Sequence, residues 1–264
     1  AAGALLPAED ERVKVMQYIG VTGFMSRGEV EHALANLPAG RRLMVGVLAS
    51  PKSLRGERNK WWRRYPSAKE IADIFVDDSR CLNLIHFSSG GDDVPIDRGF
   101  VDRLTEIGGP CLNGFQFNGR WPDHHALRGV ADQGRDVVLQ LKTNRVKDVA
   151  QGGNPLRNHL YWVAAMFRDA KCHVLLDGSG GRGVAFDPAE MRNDVRTIRK
   201  TIGYFIGLGV AGGLCAETVR SVERPKGYDV SIDAEGMLRD GDDGGTMNLD
   251  KVAAYLEAAG RVLR

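Results

Sequence analysis

Eight short, β-rich apolar runs recur along the chain: residues 13–19, 43–49, 81–87, 111–117, 137–141, 173–176, 204–208 and 228–232. Between them lie segments with helical spacing, such as Glu29-Val30-Ala33-Leu34-Leu37, Ala68-Ile71-Ala72-Phe75 and Leu249-Val252-Ala253-Leu256. The runs are nearly continuous hydrophobic stretches rather than alternating ones. That is the pattern of strands in a parallel sheet covered by helices on its faces. Eight strand–helix units at roughly 30-residue spacing fit a closed (β/α)8 barrel of about 250 residues better than an open doubly wound sheet.

The length of 264 residues suits one such barrel, and no Pro/Gly/Ser-rich linker or composition break divides it, so residues 1–264 read as a single domain. A net charge of +2 provides no global field for nucleic acid or for an anionic membrane. No run of 18 apolar residues occurs, and the opening AAGALLPAEDERVKV lacks a signal-peptide pattern. The expectation is a soluble, cytoplasmic protein. Cys81, Cys111, Cys172 and Cys215 are far apart, form no CxxC pair and have no zinc-like spacing to histidine. They read as small buried hydrophobes, and neither a metal nor a cofactor is expected.

Nearly every apolar run ends in glycine or polar residues, which a barrel gathers around one mouth. The strongest local candidate is His173-Val-Leu-Leu-Asp177-Gly-Ser-Gly-Gly-Arg-Gly183, a buried strand delivering a carboxylate into a glycine-rich turn. There Asp177 either acts as a general acid or base with a raised pKa or caps the amides of its own loop. The second candidate is Gly207-Leu-Gly-Val-Ala-Gly-Gly213, followed by a helix-like stretch over 216–222. Its glycines either cradle an anion at a helix N-terminus or only permit close packing. It lacks the βαβ context and acidic partner of a dinucleotide fingerprint.

The segment Ser50 to Arg64 holds six basic residues and one acid around Trp61-Trp62. It reads as a loop closing over an anionic or aromatic substrate, with Lys52 or Arg55 pairing a carboxylate or phosphate, or as a solvated helix start. One short patch on a near-neutral chain is weak support for nucleic acid. Of the six histidines, only His86 falls near the C-terminal end of a predicted strand, as a mouth residue or a core histidine. Asp123 reads as a helix cap before His124-His125.

In order along the chain, these strand-end segments resemble those of phosphoribosylanthranilate isomerase, a (β/α)8 enzyme of tryptophan biosynthesis. Gln17-Tyr-Ile-Gly-Val-Thr22 is similar to that family's K-I-C-G-x-T, Ser50-Pro-Lys52 to S-P-R and Phe115-Gln-Phe-Asn-Gly119 to V-Q-L-H-G. Leu175-Leu-Asp-Gly-Ser-Gly-Gly-Arg-Gly183 resembles L-L-D-S followed by G-G-T-G, Ala211-Gly-Gly-Leu214 matches A-G-G-L, and Asp229-Val-Ser231 begins like D-V-S-S-G-V-E. The resemblance covers most of the barrel. It implies Asp177 as general acid, with Lys52, Gln116 and Asn118 around the substrate, where the basic loop and the strand-end reading add Arg55 and His86. Gly180, Gly181, Gly212, Gly213 and Ser231 would then hold an anion.

The sequence departs from the family where chemistry matters. Ile19 stands at the position of the family's basic cysteine, Asn118 replaces its histidine, and Lys52 replaces its arginine. In the anion cradle Ile232 and Asp233 stand for serine and glycine, and a carboxylate there repels phosphate. The favoured reading is a diverged isomerase- or lyase-type enzyme in which Asp177 and Asp233 shuttle protons on a small anionic, sugar-derived metabolite. Two alternatives are a barrel that binds ligand without catalysis and an authentic isomerase whose base is Asp233 or His86.

Overall fold

The structure, a computed structural model, describes residues 17–58, 60–90, 94–167, 171–178, 187–203, 206–222, 229–241 and 245–263. Eight parallel strands close into a barrel in sequence order. They are β1 Ile19–Thr22, β2 Leu43–Ala49, β3 Cys81–Ser88, β4 Gly114–Asn118, β5 Asp136–Lys142, β6 Cys172–Asp177, β7 Gly207–Ala211 and β8 Val230–Ala234. The barrel closes where β8 pairs with β1, with Ile232 opposite Ile19 and Asp233 opposite Gly20. Helices α1 Arg27–Ala35, α2 Pro51–Leu54, α3 Ile71–Ile74, α4 Arg98–Gly108, α5 His124–Asp132, α6 Val146–Ala150, α7 Pro155–Met166, α8 Pro188–Ile202 and α9 Leu249–Val262 lie between and after the strands. Among the described residues, no helix is long and apolar enough to cross a membrane.

Local chemistry explains where the helices begin. Ser26, Asp97, Asp123, Asn154, Asp187 and Asn248 each sit at an N-cap and accept a hydrogen bond from a backbone N–H of the first turn. Pro155 and Pro188 occupy the first helical position, where their missing N–H costs nothing. Asp123 is therefore the cap its sequence context predicts.

Strand parity divides the core in two. The larger apolar cluster fills the space between strands and helices and takes in Ile19, Val45, Ile85, Phe115, Leu139, Val174, Val210 and Ile232. A smaller one fills the barrel itself: Tyr18, Met44, Leu82, Leu84, Val138, Leu175 and Ala211. Because alternate residues face opposite sides, Gly20, Thr22, His86, Gln116, Gln140, Asp177, Ser231 and Asp233 also point inward.

Several strands lie further toward the C-terminus than their apolar runs suggest. β1 includes Gly20-Val21-Thr22, expected as a loop, while residues 13–16 lie outside the described residues. β7 runs Gly207–Ala211 and β8 extends through Asp233 to Ala234, while Tyr204 and Tyr228, where the two runs start, lie outside the described residues. The shift has a physical cause: inward positions near the mouth are occupied by glycine or polar residues, which break an apolar run without ending the strand. Gly209 shows the need for a missing side chain, since a Cβ there would stand 2.8 Å from Leu175 and 3.3 Å from the Tyr18 hydroxyl. The stretch over 216–222 is not a helix of any length; it contains a 3-10 turn, Thr218–Ser221, so no helix N-terminus backs Gly212-Gly213.

Candidate functional site

At the C-terminal end of the barrel a small cavity of about 50 Å³ is lined by His86, Asn118, Gln140, Asp177, Gly212, Gly213, Asp233 and Glu235, with Leu175 at its floor. Six of the eight strands, β3 to β8, contribute residues to its lining, which is where this architecture assembles its chemistry.

Asp233 is a strongly perturbed group there. Its carboxylate reaches from β8 across to the inner face of β1, where the Thr22 hydroxyl donates to it at 3.0 and 3.2 Å. The Gln116 amide donates to it from β4 at 3.4 Å. Gly20 makes this approach possible: a Cβ there would stand 2.8 Å from Asp233 Oδ1. Burial pushes the Asp233 carboxyl up to about 7, against the two hydrogen bonds and with help from the nearby charges of Glu235 and Asp177. Near neutral pH it is thus divided between acid and base, the condition in which a carboxyl exchanges protons most usefully.

Asp177 ends β6, is 3% exposed, and accepts a 2.7 Å hydrogen bond from the Gln140 amide of β5. Gln116 Nε2 also reaches Gln140 Oε1 at 3.4 Å. The two glutamines therefore form a chain of amides running across the barrel from Asp233 to Asp177. His86 enters the same cavity from β3 and is 4% exposed, yet neither of its ring nitrogens has a hydrogen-bond partner; the Gln140 side chain lies alongside, outside bonding geometry. Burial lowers its pKa, and the charges of Glu235 and Asp177 partly oppose that. A neutral imidazole with no protein partner on either nitrogen offers both a donor and an acceptor to a molecule in the cavity.

Not all the sequence candidates come together. Asn118, Gly212 and Gly213 line the cavity, the two glycines with φ of 114° and 60°. Ser231 does not: it faces the barrel interior one layer below Asp233, 2% exposed, and accepts a 3.2 Å hydrogen bond from the Tyr18 backbone N–H. Lys52 is exposed on α2, and Arg55, just past it, is exposed and paired with Glu57 at 2.7 Å, so neither lines the cavity. A capping box of Ser50 and Ser53 folds this short turn. Gly180 and Gly181 lie outside the described residues.

The basic segment reaches the mouth by another residue. Arg64, at the end of the 3-10 turn Trp62–Arg64, forms an ion pair with Glu235 beside the cavity. Behind it, the buried guanidinium of Arg239 binds the carbonyls of Gly23 and Gly245, and burial lowers its pKa to about 10. Thr22, Gln140, Glu235 and Arg64 were not singled out from sequence. The signal for Gln140 was there: it is the inward-facing polar residue in the middle of an otherwise apolar strand.

Ile19 bears on the missing base. Its side chain belongs to the outer core between strands and helices, while the inward residues of β1 are Tyr18, Gly20 and Thr22. A cysteine at position 19 would face away from the mouth. The inner face of β1 is instead covered by the Asp233 carboxylate. Among the described residues no Lys or Arg lines the cavity, and no three His, Cys, Asp or Glu side chains are grouped to hold a metal ion.

No protein-family model matches the chain, and no curated protein is similar to it in sequence. Solved structures do resemble it. A phosphoribosyl anthranilate isomerase in complex with reduced 1-(o-carboxyphenylamino)-1-deoxyribulose 5-phosphate superposes with a TM-score of 0.58 at 18% identity, over 92% of this chain and 98% of that one. The N-(5'-phosphoribosyl)anthranilate isomerase of Pyrococcus furiosus follows at 0.55 and 16%, over 93% and 100%. Triosephosphate isomerase from Bartonella henselae gives 0.53 and 8%, over 92% and 99%. At these identities the likeness establishes the fold: this chain is a (β/α)8 barrel whose neighbours in structure include isomerases of more than one kind.

Proposed function

We propose that this barrel is an isomerase- or lyase-type enzyme that moves protons on a small, sugar-derived metabolite held at its mouth. The observation that carries this reading is Asp233, a buried carboxyl brought to about 7 in the same cavity as the unpartnered His86 and the hydrogen-bonded Asp177. In the reaction, ionised Asp233 takes a proton from the carbon beside a carbonyl or imine, while the Asp177 carboxylate carries the proton of the adjacent hydroxyl or amine over to the carbonyl or imine heteroatom. Returning a proton to the neighbouring carbon completes an isomerisation without any redox change. Neutral His86 orients the carbonyl oxygen through its N–H. Acid–base steps of this kind contribute about 10²–10⁴-fold each.

Asp233 thus fills the role that the resemblance to phosphoribosylanthranilate isomerase assigns to a first-strand cysteine, from the opposite side of the β1–β8 seam. The structural neighbour bound to an aminodeoxyribulose phosphate supports a sugar-derived substrate. Carboxylates and amides at the mouth suit hydroxyl groups, which donate to the former and accept from the latter. The anionic group expected from sequence has no cation among the described cavity residues to receive it, so the sugar part carries the recognition.

The test is proton exchange. The protein is incubated in D2O with a panel of ketoses, amino sugars and sugar phosphates, and with phosphoribosylanthranilate followed by its fluorescence. Deuterium incorporated by the wild type and absent with Asp177→Asn and Asp233→Asn upholds the proposal. Calorimetric binding of a panel member without exchange or turnover would replace it with a ligand-binding barrel.

A further inference from the structure

The basic, aromatic segment after β2 is not used up by the mouth. Only Arg64 turns toward Glu235; Lys52, Arg55, Arg58, Lys60, Trp62 and Arg63 are exposed. Trp62 is 44% exposed, one of the few large hydrophobic side chains left open to solvent. The Arg58 guanidinium stacks over its ring at 4.1 Å, and that of Arg63 lies 5.6 Å from the same centroid. On the neighbouring indole, Lys60 and Arg64 stand 4.7 and 4.5 Å from the centre of Trp61. Beside Trp62 opens a groove of about 170 Å³, walled by Arg58, Tyr65 and Pro66, that shares no lining residue with the mouth cavity.

The cations at this groove are Arg58 on its wall, with Arg63 and Lys60 beside the two indoles. Among the described residues Arg58, Lys60 and Arg63 have no carboxylate partner, whereas Glu57, the one acid on the wall, is already held by Arg55 at 2.7 and 3.1 Å. A guanidinium lying flat on an indole keeps its N–H edge free in the plane, where it matches the oxygens of a phosphate. Its outer face, like the exposed indole, accepts a planar ring. Tyr65 is part-buried on this wall, with Ser88 of β3 close to its hydroxyl.

We propose that this groove is a nucleotide-binding site, with the base stacked on the Arg58–Trp62 platform and the phosphate on Arg58, Arg63 and Lys60. The net charge of +2 argues against a long nucleic-acid footprint, and the groove has room for about one base. The site is separate from the proposed chemistry at the mouth and stands whether or not that chemistry is correct.

Calorimetry on the full chain with AMP, adenosine and inorganic phosphate tests it, with an oligoadenylate of about twelve nucleotides as a further arm. AMP should bind saturably and at least tenfold more tightly than either fragment, more weakly as salt is raised. Stacking lost in Trp62→Ala should cost roughly 5- to 150-fold in affinity, and Arg58→Glu at least tenfold. Both positions are exposed, and neither variant threatens the fold. An oligonucleotide that binds no better than its number of AMP units marks the free nucleotide as the ligand; one that binds far better marks a strand, with the same stacked base. Failure of AMP and the oligonucleotide to saturate by about 10 mM would overturn the proposal. So would a Trp62→Ala variant that binds like wild type, since simple ion attraction would then suffice.

Discussion

The barrel interior buries two histidines, one toward each end, and their surroundings differ in sign. His173, the second residue of β6, is 2% exposed and packs edge-on against the Tyr18 ring at 5.2 Å. Burial drives its pKa down to about 3, and the cations Arg42 and Arg199 push in the same direction. His86, near the mouth end of β3, is as deeply buried, but the carboxylates of Glu235 and Asp177 oppose its desolvation, and it borders a cavity. Residue type and burial alone thus do not mark a working histidine. What distinguishes His86 is empty space on one side and charges of the right sign on the other. His173 is a packing residue with an unpartnered Nδ1, held neutral where no substrate can reach it.

The largest expected effect is on the mouth chemistry. Asp177→Asn and Asp233→Asn should each reduce deuterium exchange into the responsive substrate by about 10²–10⁴-fold, with unchanged circular dichroism. Equal loss in His173→Ala, with its fold intact, would erase the distinction between the two ends.

Stability should follow the reverse order. His173→Ala opens a hole beside Tyr18 and Leu175, and urea unfolding should show a loss of about 2–4 kcal/mol. His86→Ala should cost less than about 1 kcal/mol, because its ring already borders a cavity and neither of its nitrogens has a protein partner to lose.

The two ends also answer pH with opposite signs. Asp233 keeps its proton in the folded state up to about 7 but loses it near 3.9 when unfolded. The folded state therefore binds more protons between these values, and stability falls as pH rises through them. Asp233→Asn should remove that penalty, gaining on the order of 2 kcal/mol at pH 8 and progressively less toward pH 4. His173 acts the other way. Its neutral folded form loses stability as pH drops from about 6.5 toward 3, and His173→Phe should flatten that acid limb.

How much of this was legible in the sequence depended on which face of a strand carried the information. β2 is read correctly to the residue because all seven of its positions are buried and apolar, with glycine only at position 46. β1, β7 and β8 are displaced, because Gly20, Thr22, Gly209 and Asp233 interrupt the apolar run while facing the barrel interior. Asp177, Asp233, His86 and Asn118 were found by their place at strand ends, and Gln116, inside an apolar run, by the family resemblance. Gln140 was hidden inside an apolar run, and Glu235 among loop residues. The pairing of Arg64 with Glu235 joins positions 171 apart, a contact that no local pattern encodes. Ser231 was assigned to the anion site by motif, yet its strand parity places it in the interior. Strand parity counted from Asp233 would have predicted that.

Ser231 gives the smallest effect. Ser231→Ala removes the acceptor for the Tyr18 N–H and should cost about 1 kcal/mol in urea unfolding, leaving proton exchange at the mouth within about twofold of wild type. A larger effect on exchange than on stability would return Ser231 to the site.

The most direct test of the account is a 13C NMR titration of the aspartate side-chain carboxyls in the wild type and in Asp233→Asn. The account predicts one resonance titrating near 7 in the wild type and missing from the variant. Burial raises Asp194 as well, to about 6, so the variant identifies the signal: if the resonance lost in Asp233→Asn titrates below about 5, Asp233 is an ordinary carboxylate and the proposed proton exchange at the barrel mouth is contradicted.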